Sequence, residues 1–376
     1  MIVKAAVVNA AGEDYTLSDL TLSEMQPDEV LVKMVASGMC MSDETIRKGG
    51  TSSVAFPVVL GHEGSGIVEK VGDAVKGFKV GDQVVLSYAY CGQCPSCQTG
   101  HPSVCDDWMT LNFSGVREDG SHTFHKEDNT PVGNFYGHSS FTSHTLVHQS
   151  NLTKVDADAD LRLIGPLGCG FLTGSGTVIN GLKPEVGSSI AVFGTGAVGL
   201  AAMMAAKIQG CSTIIAVDIH DSRLELAKKL GATHVINSKL EDPLEKVKEI
   251  TAGRGVNYSV DTTGVSPVIK TALTVLAKGG VIAPVAVSRN NIEINLTAEL
   301  TMSSKSMIGV VMGDGVPQLS IPQLVKFYQE GRFPFNELVK FYPFDDINQA
   351  AQDSAGGSVI KPILIMDESY TASSVK

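Results

Sequence analysis

Four cysteines crowded into one short segment limit what this chain can fold into more than any other feature. Cys91, Cys94, Cys97 and Cys105 follow a C-x2-C-x2-C-x7-C spacing, with Gly92, Pro95 and Gly100 in the intervals. That spacing lets four thiolates close around one ion, and the glycines and proline suit a tightly wrapped lobe. Zinc enclosed by four sulfurs holds structure. Disulfides and an iron–sulfur cluster are the competing readings; thiols kept reduced disfavour the first, and no redox partner is visible for the second. Two more cysteines, Cys40 and Cys169, lie far apart, with Gly61-His62-Glu63 between them. Two thiolates and an imidazole can hold zinc and leave one position open for chemistry. Spacing alone does not establish that second site, because buried core cysteines and a structural histidine fit the same residues.

The bulk properties exclude several classes. A chain of 376 residues is too long for one ordinary core and implies two domains. Its net charge of −11 offers no basic footprint for nucleic acid or an anionic membrane. The longest apolar stretch, Ile190 to Ala206, is interrupted by three glycines and ended by Lys207, so it does not read as a membrane span. The apolar run at the N-terminus is too short for a signal peptide. Together with cysteines at metal spacing, this gives a cytoplasmic expectation.

Two patterns divide the chain. The first part is rich in short β-like runs broken by glycine, such as Glu29–Val35, Gly66–Val71 and Gln83–Tyr88, in an order that resembles an irregular β-barrel. Leu111 to Thr130 is polar and reads as an exposed loop or hairpin. From Ser188 onward, strands and helices alternate: a strand at Ser189–Phe193, a helix to Gln209, a strand at Thr213–Val217, a helix at Arg223–Leu230, and further strands at Val256–Asp261 and Gly280–Val285. Near-continuous apolar strands in such alternation indicate a parallel sheet covered on both faces. Between the first strand and helix stands Gly194-Thr195-Gly196-Ala197-Val198-Gly199, a G-x-G-x-x-G in the context where it cradles a pyrophosphate. Asp218 at the end of the next strand can accept bonds from the ribose hydroxyls and repel a 2′-phosphate, which favours NAD. Arg223 nearby can offset part of that repulsion. The plainer reading of Asp218 is a helix cap near Asp221.

Jointly, these strings resemble the zinc-dependent alcohol dehydrogenases of the medium-chain dehydrogenase/reductase superfamily, over nearly the whole chain. The marks are Cys40-Met41-Ser42-Asp43, Gly61-His62-Glu63-Gly64-Ser65-Gly66-Ile67-Val68, the four-cysteine lobe, Gly168-Cys169-Gly170-Phe171-Leu172-Thr173-Gly174 and the dinucleotide fingerprint. The resemblance implies an α/β protein with a GroES-like β-barrel catalytic domain and a Rossmann doubly wound parallel-sheet domain. The expected boundaries are 1–170 with the zinc lobe at 91–105, 171–312 for the NAD-binding domain, and 313–376 for the return to the catalytic domain. It implies two zinc ions per chain and a cleft between the domains. Cys40, His62 and Cys169 become ligands of the catalytic zinc, and Cys91, Cys94, Cys97 and Cys105 those of the structural one. Glu63 would sit beside the metal, Asp43 would orient a ligand, and Ser42 would begin a proton relay. Thr173 would line the nicotinamide pocket, and Lys361 would stand near the pyrophosphate.

The implied chemistry is the reversible oxidation of a primary alcohol to an aldehyde, through a zinc alkoxide and hydride transfer to NAD. One position departs from the family pattern: Thr45 stands where many members carry a histidine at the relay's outer end. A threonine can pass a proton but cannot hold one as imidazole does. Lys4-Ala5-Ala6-Val7-Val8, Asp346-Ile347-Asn348-Gln349-Ala350 and Gly356-Gly357-Ser358-Val359-Ile360-Lys361-Pro362 resemble the aryl-alcohol (benzyl alcohol) branch. Asn134 to Phe141 matches a stretch near that branch's pocket, with His138 unusual there. Tyr88 and Trp108 are either pocket walls or core. Aromatic or allylic alcohols are therefore the expected substrates, against aliphatic alcohols, glutathione-dependent formaldehyde oxidation, or a zinc-binding structural member without activity. The resemblance also implies a homodimer or homotetramer, with Ser306–Val311 as the edge strand.

Overall fold

The computed structural model describes residues 1–50, 54–288 and 290–372. The chain divides into two compact units, one of Met1–Cys169, Val316–Lys326 and Phe335–Lys376, the other of Gly170–Gly315 and Phe327–Pro334.

The first unit is built on two sheets. Strand Glu29–Gly38 is the spine of the larger one, pairing antiparallel with Glu63–Val71, His144–His148 and the C-terminal strand Lys361–Ile365. Val30, Val32, Met34 and Val68 on these strands form one apolar core with Val84 and Leu86 of strand Gln83–Leu86, which pairs with Glu63–Val71. Burying each large side chain there contributes roughly 1.5–3 kcal/mol by removing apolar surface from water. The smaller sheet runs through Val58–Val59, Ile2–Val8, Thr16–Leu22, Phe124–His125 and Pro131–Val132. The segment read as loop or hairpin differs at its start. Helix Trp108–Phe113 takes in Leu111, and the paired strands Phe124–His125 and Pro131–Val132 close the hairpin behind it. Asp107 makes no side-chain cap to announce that helix; the buried Asn112 within it supplies the anchoring bonds instead.

The second unit is a six-stranded parallel sheet. Numbered within the unit in chain order, its strands are Ser189–Phe193, Thr213–Asp218, His234–Asn237, Val256–Asp261, Leu276–Pro284 and Ser306–Met307, and they lie in the order 3-2-1-4-5-6. The order reverses beside the first strand, the switch point where such sheets bind ligands at the carboxyl ends of their strands. Ala191, Phe193, Ile215, Val217, Val260 and Ile282 are buried, as strands covered on both faces require. The long apolar stretch resolves into strand Ser189–Phe193 and helix Ala197–Ile208. Among the described residues, no helix is long and apolar enough to cross a membrane.

Candidate active site

In the first unit, Cys40, His62, Glu63 and Cys169 bring one donor atom each to within 4.8 Å of one another. They arrive from separate elements. Cys40 is the N-cap of helix Met41–Arg47, Glu63 begins strand Glu63–Val71, and Cys169 ends a short helical turn after Gly165–Gly168. Asp43, fully buried, ties the first two together. Its Oδ2 accepts from the Cys40 amide at 3.0 Å, and its Oδ1 from the Gly61 amide at 3.0 Å and from His62 Nδ1 at 3.0 Å. A ring nitrogen facing a carboxylate carries the proton, so Nε2 is left as the lone-pair donor, 3.1 Å from Cys169 Sγ. Gly61 has φ +87°, and a Cβ there would sit 2.6 Å from Phe141, so only glycine lets the chain deliver His62 at this point.

The electrostatics suit a metal. Cys169, with His62 and Lys361, holds the Cys40 thiol well below its ordinary pKa, and the Cys169 thiol is pushed up in exchange. Burial works against a charge on His62, but Asp43 and Cys40 outweigh it and raise its pKa. A divalent ion displaces the protons that such a set would otherwise share. Two sulfurs and an imidazole gathered within 4.8 Å of one another are a donor set that fits zinc.

Lys361 belongs to this cluster. Its Nζ donates to Glu63 at 2.7 and 3.0 Å and to the Met39 carbonyl at 3.1 Å. Burial raises the Glu63 pKa, with Lys361 opposing. The Lys361 pKa is raised, because Glu63 and Cys40 overcome the lowering by burial. Ser42 Oγ lies 3.9 Å from Cys40 Sγ. Thr45 Oγ1 donates back along its own helix to the Met41 carbonyl at 2.8 Å.

Aromatic rings cover His62. Tyr136 stacks on it with centroids 4.5 Å apart and planes at 24°, and Phe135 meets it edge-on at 5.3 Å. Trp108 and Phe113 pack onto Tyr136 at 6.2 and 5.5 Å. Tyr88 is fully buried. His138 is buried too; neither ring nitrogen has a hydrogen-bond partner among the described residues. Burial and then His62 drive its pKa down to about 3.

The lobe brings the sulfurs of Cys91, Cys94, Cys97 and Cys105 within 4.8 Å of one another. The Cys94 amide donates to Cys91 Sγ at 3.3 Å and the Cys91 amide to Cys105 Sγ at 3.4 Å. Backbone bonding at Asp106 and Cys97 lowers the Cys94 pKa to about 7, whereas burial pushes Cys97 up to about 12. Four sulfurs fit a closed structural zinc.

In the second unit the three glycines have different reasons. Gly194 has φ +89°, and a Cβ on Gly199 would lie 1.9 Å from the Gly194 carbonyl oxygen. Beside Gly196, the N-cap of helix Ala197–Ile208, a Cβ would meet nothing within 4 Å, which leaves room at the helix N-terminus for a phosphate. Asp218 Oδ2 accepts from both the amide and the hydroxyl of buried Thr195 at 2.7 Å, and Oδ1 from the Ile219 and His220 amides. Burial raises its pKa, but these bonds prevail and leave it lowered. Thr195 thus fastens the glycine loop to the acidic strand end, a role its place in the motif did not announce. Arg223 is partly buried on helix Asp221–Leu230. Thr173 Oγ1 lies 3.9 Å from Met312 Sδ.

Residues 26–157 match the alcohol dehydrogenase GroES-like domain, and residues 197–330 the zinc-binding dehydrogenase domain. A geraniol dehydrogenase of Castellaniella defragrans is 38% identical over 96% of this chain and 97% of its own. The chain belongs to the zinc-binding alcohol dehydrogenase family. Within it, the crystal structure of benzyl alcohol dehydrogenase from Acinetobacter calcoaceticus matches with a TM-score of 0.94 at 46% identity, covering 98% of this chain and 100% of the other. An alcohol dehydrogenase zinc-binding domain protein from Burkholderia ambifaria matches with a TM-score of 0.94 at 45% identity and the same coverage. Strands Glu29–Gly38, Glu63–Val71 and His144–His148 thus fall in the family's GroES-like part, and the enzyme is an α/β oxidoreductase of alcohols.

Proposed function

We propose that this enzyme oxidises primary aromatic or allylic alcohols reversibly to aldehydes, with NAD as the hydride acceptor and two zinc ions per chain. The observation that carries the reading is the Cys40–His62–Cys169 set, with His62 and Cys169 buried, and His62 aimed by Asp43 and covered by Tyr136 and Phe135. Benzyl alcohol and geraniol, named for two relatives, are aromatic and allylic respectively, which supports that substrate class.

Cys40, His62 and Cys169 would hold the catalytic zinc, with Glu63 beside it, and the four lobe cysteines the structural one. Zinc bound at the first set acidifies an alcohol and polarises an aldehyde carbonyl. Asp43 fixes the His62 ring so that Nε2 faces the metal position, and Ser42 Oγ accepts the substrate's hydroxyl proton and hands it to water. Thr45, its own hydroxyl hydrogen committed to Met41, can only accept at that point, so the outer end of the relay is water. Gly196 and the start of helix Ala197–Ile208 take the pyrophosphate, Asp218 the ribose hydroxyls, with Arg223 nearby, and Thr173 the nicotinamide side. Lys361, held on Glu63, would contribute charge near the metal and the cofactor phosphates. The chain as a whole would form a homodimer or homotetramer through the short edge strand Ser306–Met307, beside which Leu296, Met302 and Val311 are exposed.

Absorbance of NADH formed from benzyl alcohol, cinnamyl alcohol and ethanol tests the reading, with NADP run in parallel. Rapid turnover of the first two with NAD is expected. Preference for ethanol, or no turnover of any of the three, would overturn the substrate assignment.

A further inference from the structure

The ring lying on His62 is held in an unusual way. Tyr136 has φ +55°, a left-handed conformation that a bulky side chain adopts only when its surroundings insist. Both of its peptide groups are clamped. Its N–H donates to the Asn112 carbonyl at 2.9 Å, and its carbonyl accepts from Asn151 Nδ2 at 3.0 Å. Asn112 and Asn151 are each 1% exposed.

Asn112 does more than hold Tyr136. Its Oδ1 accepts from the Ala89 amide at 2.8 Å, while its Nδ2 donates to the Ala89 carbonyl at 2.9 Å and to the Trp108 carbonyl at 2.8 Å. Ala89 stands just before the first lobe cysteine, and Trp108, whose amide donates to the Cys105 carbonyl at 3.0 Å, just after the last. Both hydrogens and the oxygen of one amide side chain are spent on joining the two ends of the lobe. Only asparagine has this donor and acceptor set at this length.

We propose that Asn112 is a positioning residue, fastening Tyr136 over His62 from the base of the four-cysteine lobe and so fixing the aromatic face that a planar substrate meets. This rests on the function proposed above. Asn112 touches no reacting atom. Its own carbonyl holds the Tyr136 N–H, and without its side chain the helix that carries this carbonyl is unfastened from Ala89, so the carbonyl shifts and the Tyr136 ring leaves its stacked position.

Asn112→Ala and Asn112→Asp test this, with Met109→Ala, an exposed change on the same helix, as the control. Asn112→Asp keeps the acceptor for Ala89 and loses both donations. Asn151→Ala forms a second arm, because it removes the other hold on Tyr136 and leaves the lobe contacts intact. The readouts are KM and kcat for benzyl alcohol, and the emission of Trp108, the chain's single tryptophan. A merely structural loss lowers the active fraction, and with it apparent kcat, at constant KM. The proposal expects KM to rise about tenfold in the Asn112 variants, with kcat much less affected, and by a smaller factor in Asn151→Ala. Emission should shift in the Asn112 variants and stay put in Met109→Ala. Should Asn112→Ala fail to fold, Asn112→Asp and Asn151→Ala decide. An unchanged KM and unchanged emission in those two overturns the proposal. A wild-type protein that does not oxidise benzyl alcohol overturns the substrate reading instead, and the emission shift then still decides the role of Asn112.

Discussion

The two cysteine clusters gather similar donors by opposite means. In the lobe, Cys91, Cys94, Cys97 and Cys105 are neighbours in sequence, two of them only partly buried, and backbone amides stabilise their sulfurs. At Cys40, His62 and Cys169, the ligands come from elements far apart in the chain. What aims and charges them is side chains: Asp43, the Glu63–Lys361 pair and the rings of Phe135 and Tyr136. A local cluster needs only a turn to form, so its loss is a loss of structure. A dispersed one needs the whole unit folded first, so its loss is a loss of chemistry.

Single-cysteine variants should separate the two most widely. Cys169→Ser should cut alcohol-dependent NADH formation by about a thousandfold, with a small change in Tm. Cys97→Ser should instead lower Tm by about 10 °C, because metal binding in a small closed site is folding free energy. Similar profiles for the two variants, by calorimetry and assay, would erase the distinction.

Next in size is the Lys361–Glu63 pair, whose side chains are 3% and 0% exposed. Lys361→Met leaves a buried carboxylate without its partner and should cost about 3–5 kcal/mol in urea unfolding. Asp43→Asn keeps the shape but loses the charge that orients His62; turnover or zinc affinity should fall roughly 10- to 100-fold, measured by assay and competitive chelation.

The smallest effect, taken per pH unit, is one of pH. His138 has a folded pKa of about 3 against an ordinary 6.5, so the unfolded chain takes up a proton that the folded chain refuses. The neutral ring's contribution to stability is fully present above pH 6.5 and is lost as pH falls toward 3. Wild type should therefore lose ~1.4 kcal/mol more per pH unit across that window than His138→Thr, read from urea midpoints. Parallel pH dependences in the two proteins would show that His138 takes up protons while folded.

This contrast also explains what the sequence made legible. The lobe could be read from spacing, and strand Ser189–Phe193 with its glycine loop from an apolar run ending in a turn, because both signals are local. The dispersed set needed a whole-chain resemblance, since nothing near Cys40 announces Cys169. The pairing of Lys361 with Glu63 was hidden because strand Lys361–Ile365 joins the sheet only through long-range pairing with Glu29–Gly38. Helix Trp108–Phe113 was hidden inside a polar stretch, since a buried asparagine rather than an apolar stripe secures it. The left-handed turn at Tyr136 was equally silent, because tyrosine carries no signal for it.

The central claim is that one cluster holds structure and the other performs chemistry in a single dehydrogenase. Counting zinc per chain while a chelator is titrated in, with NADH formation from benzyl alcohol and Tm followed on the same samples, tests it most directly. The account predicts two zinc ions, one whose removal abolishes turnover at nearly constant Tm and one whose removal collapses Tm. A single zinc per chain, or full turnover after the first ion has left without loss of Tm, would contradict it.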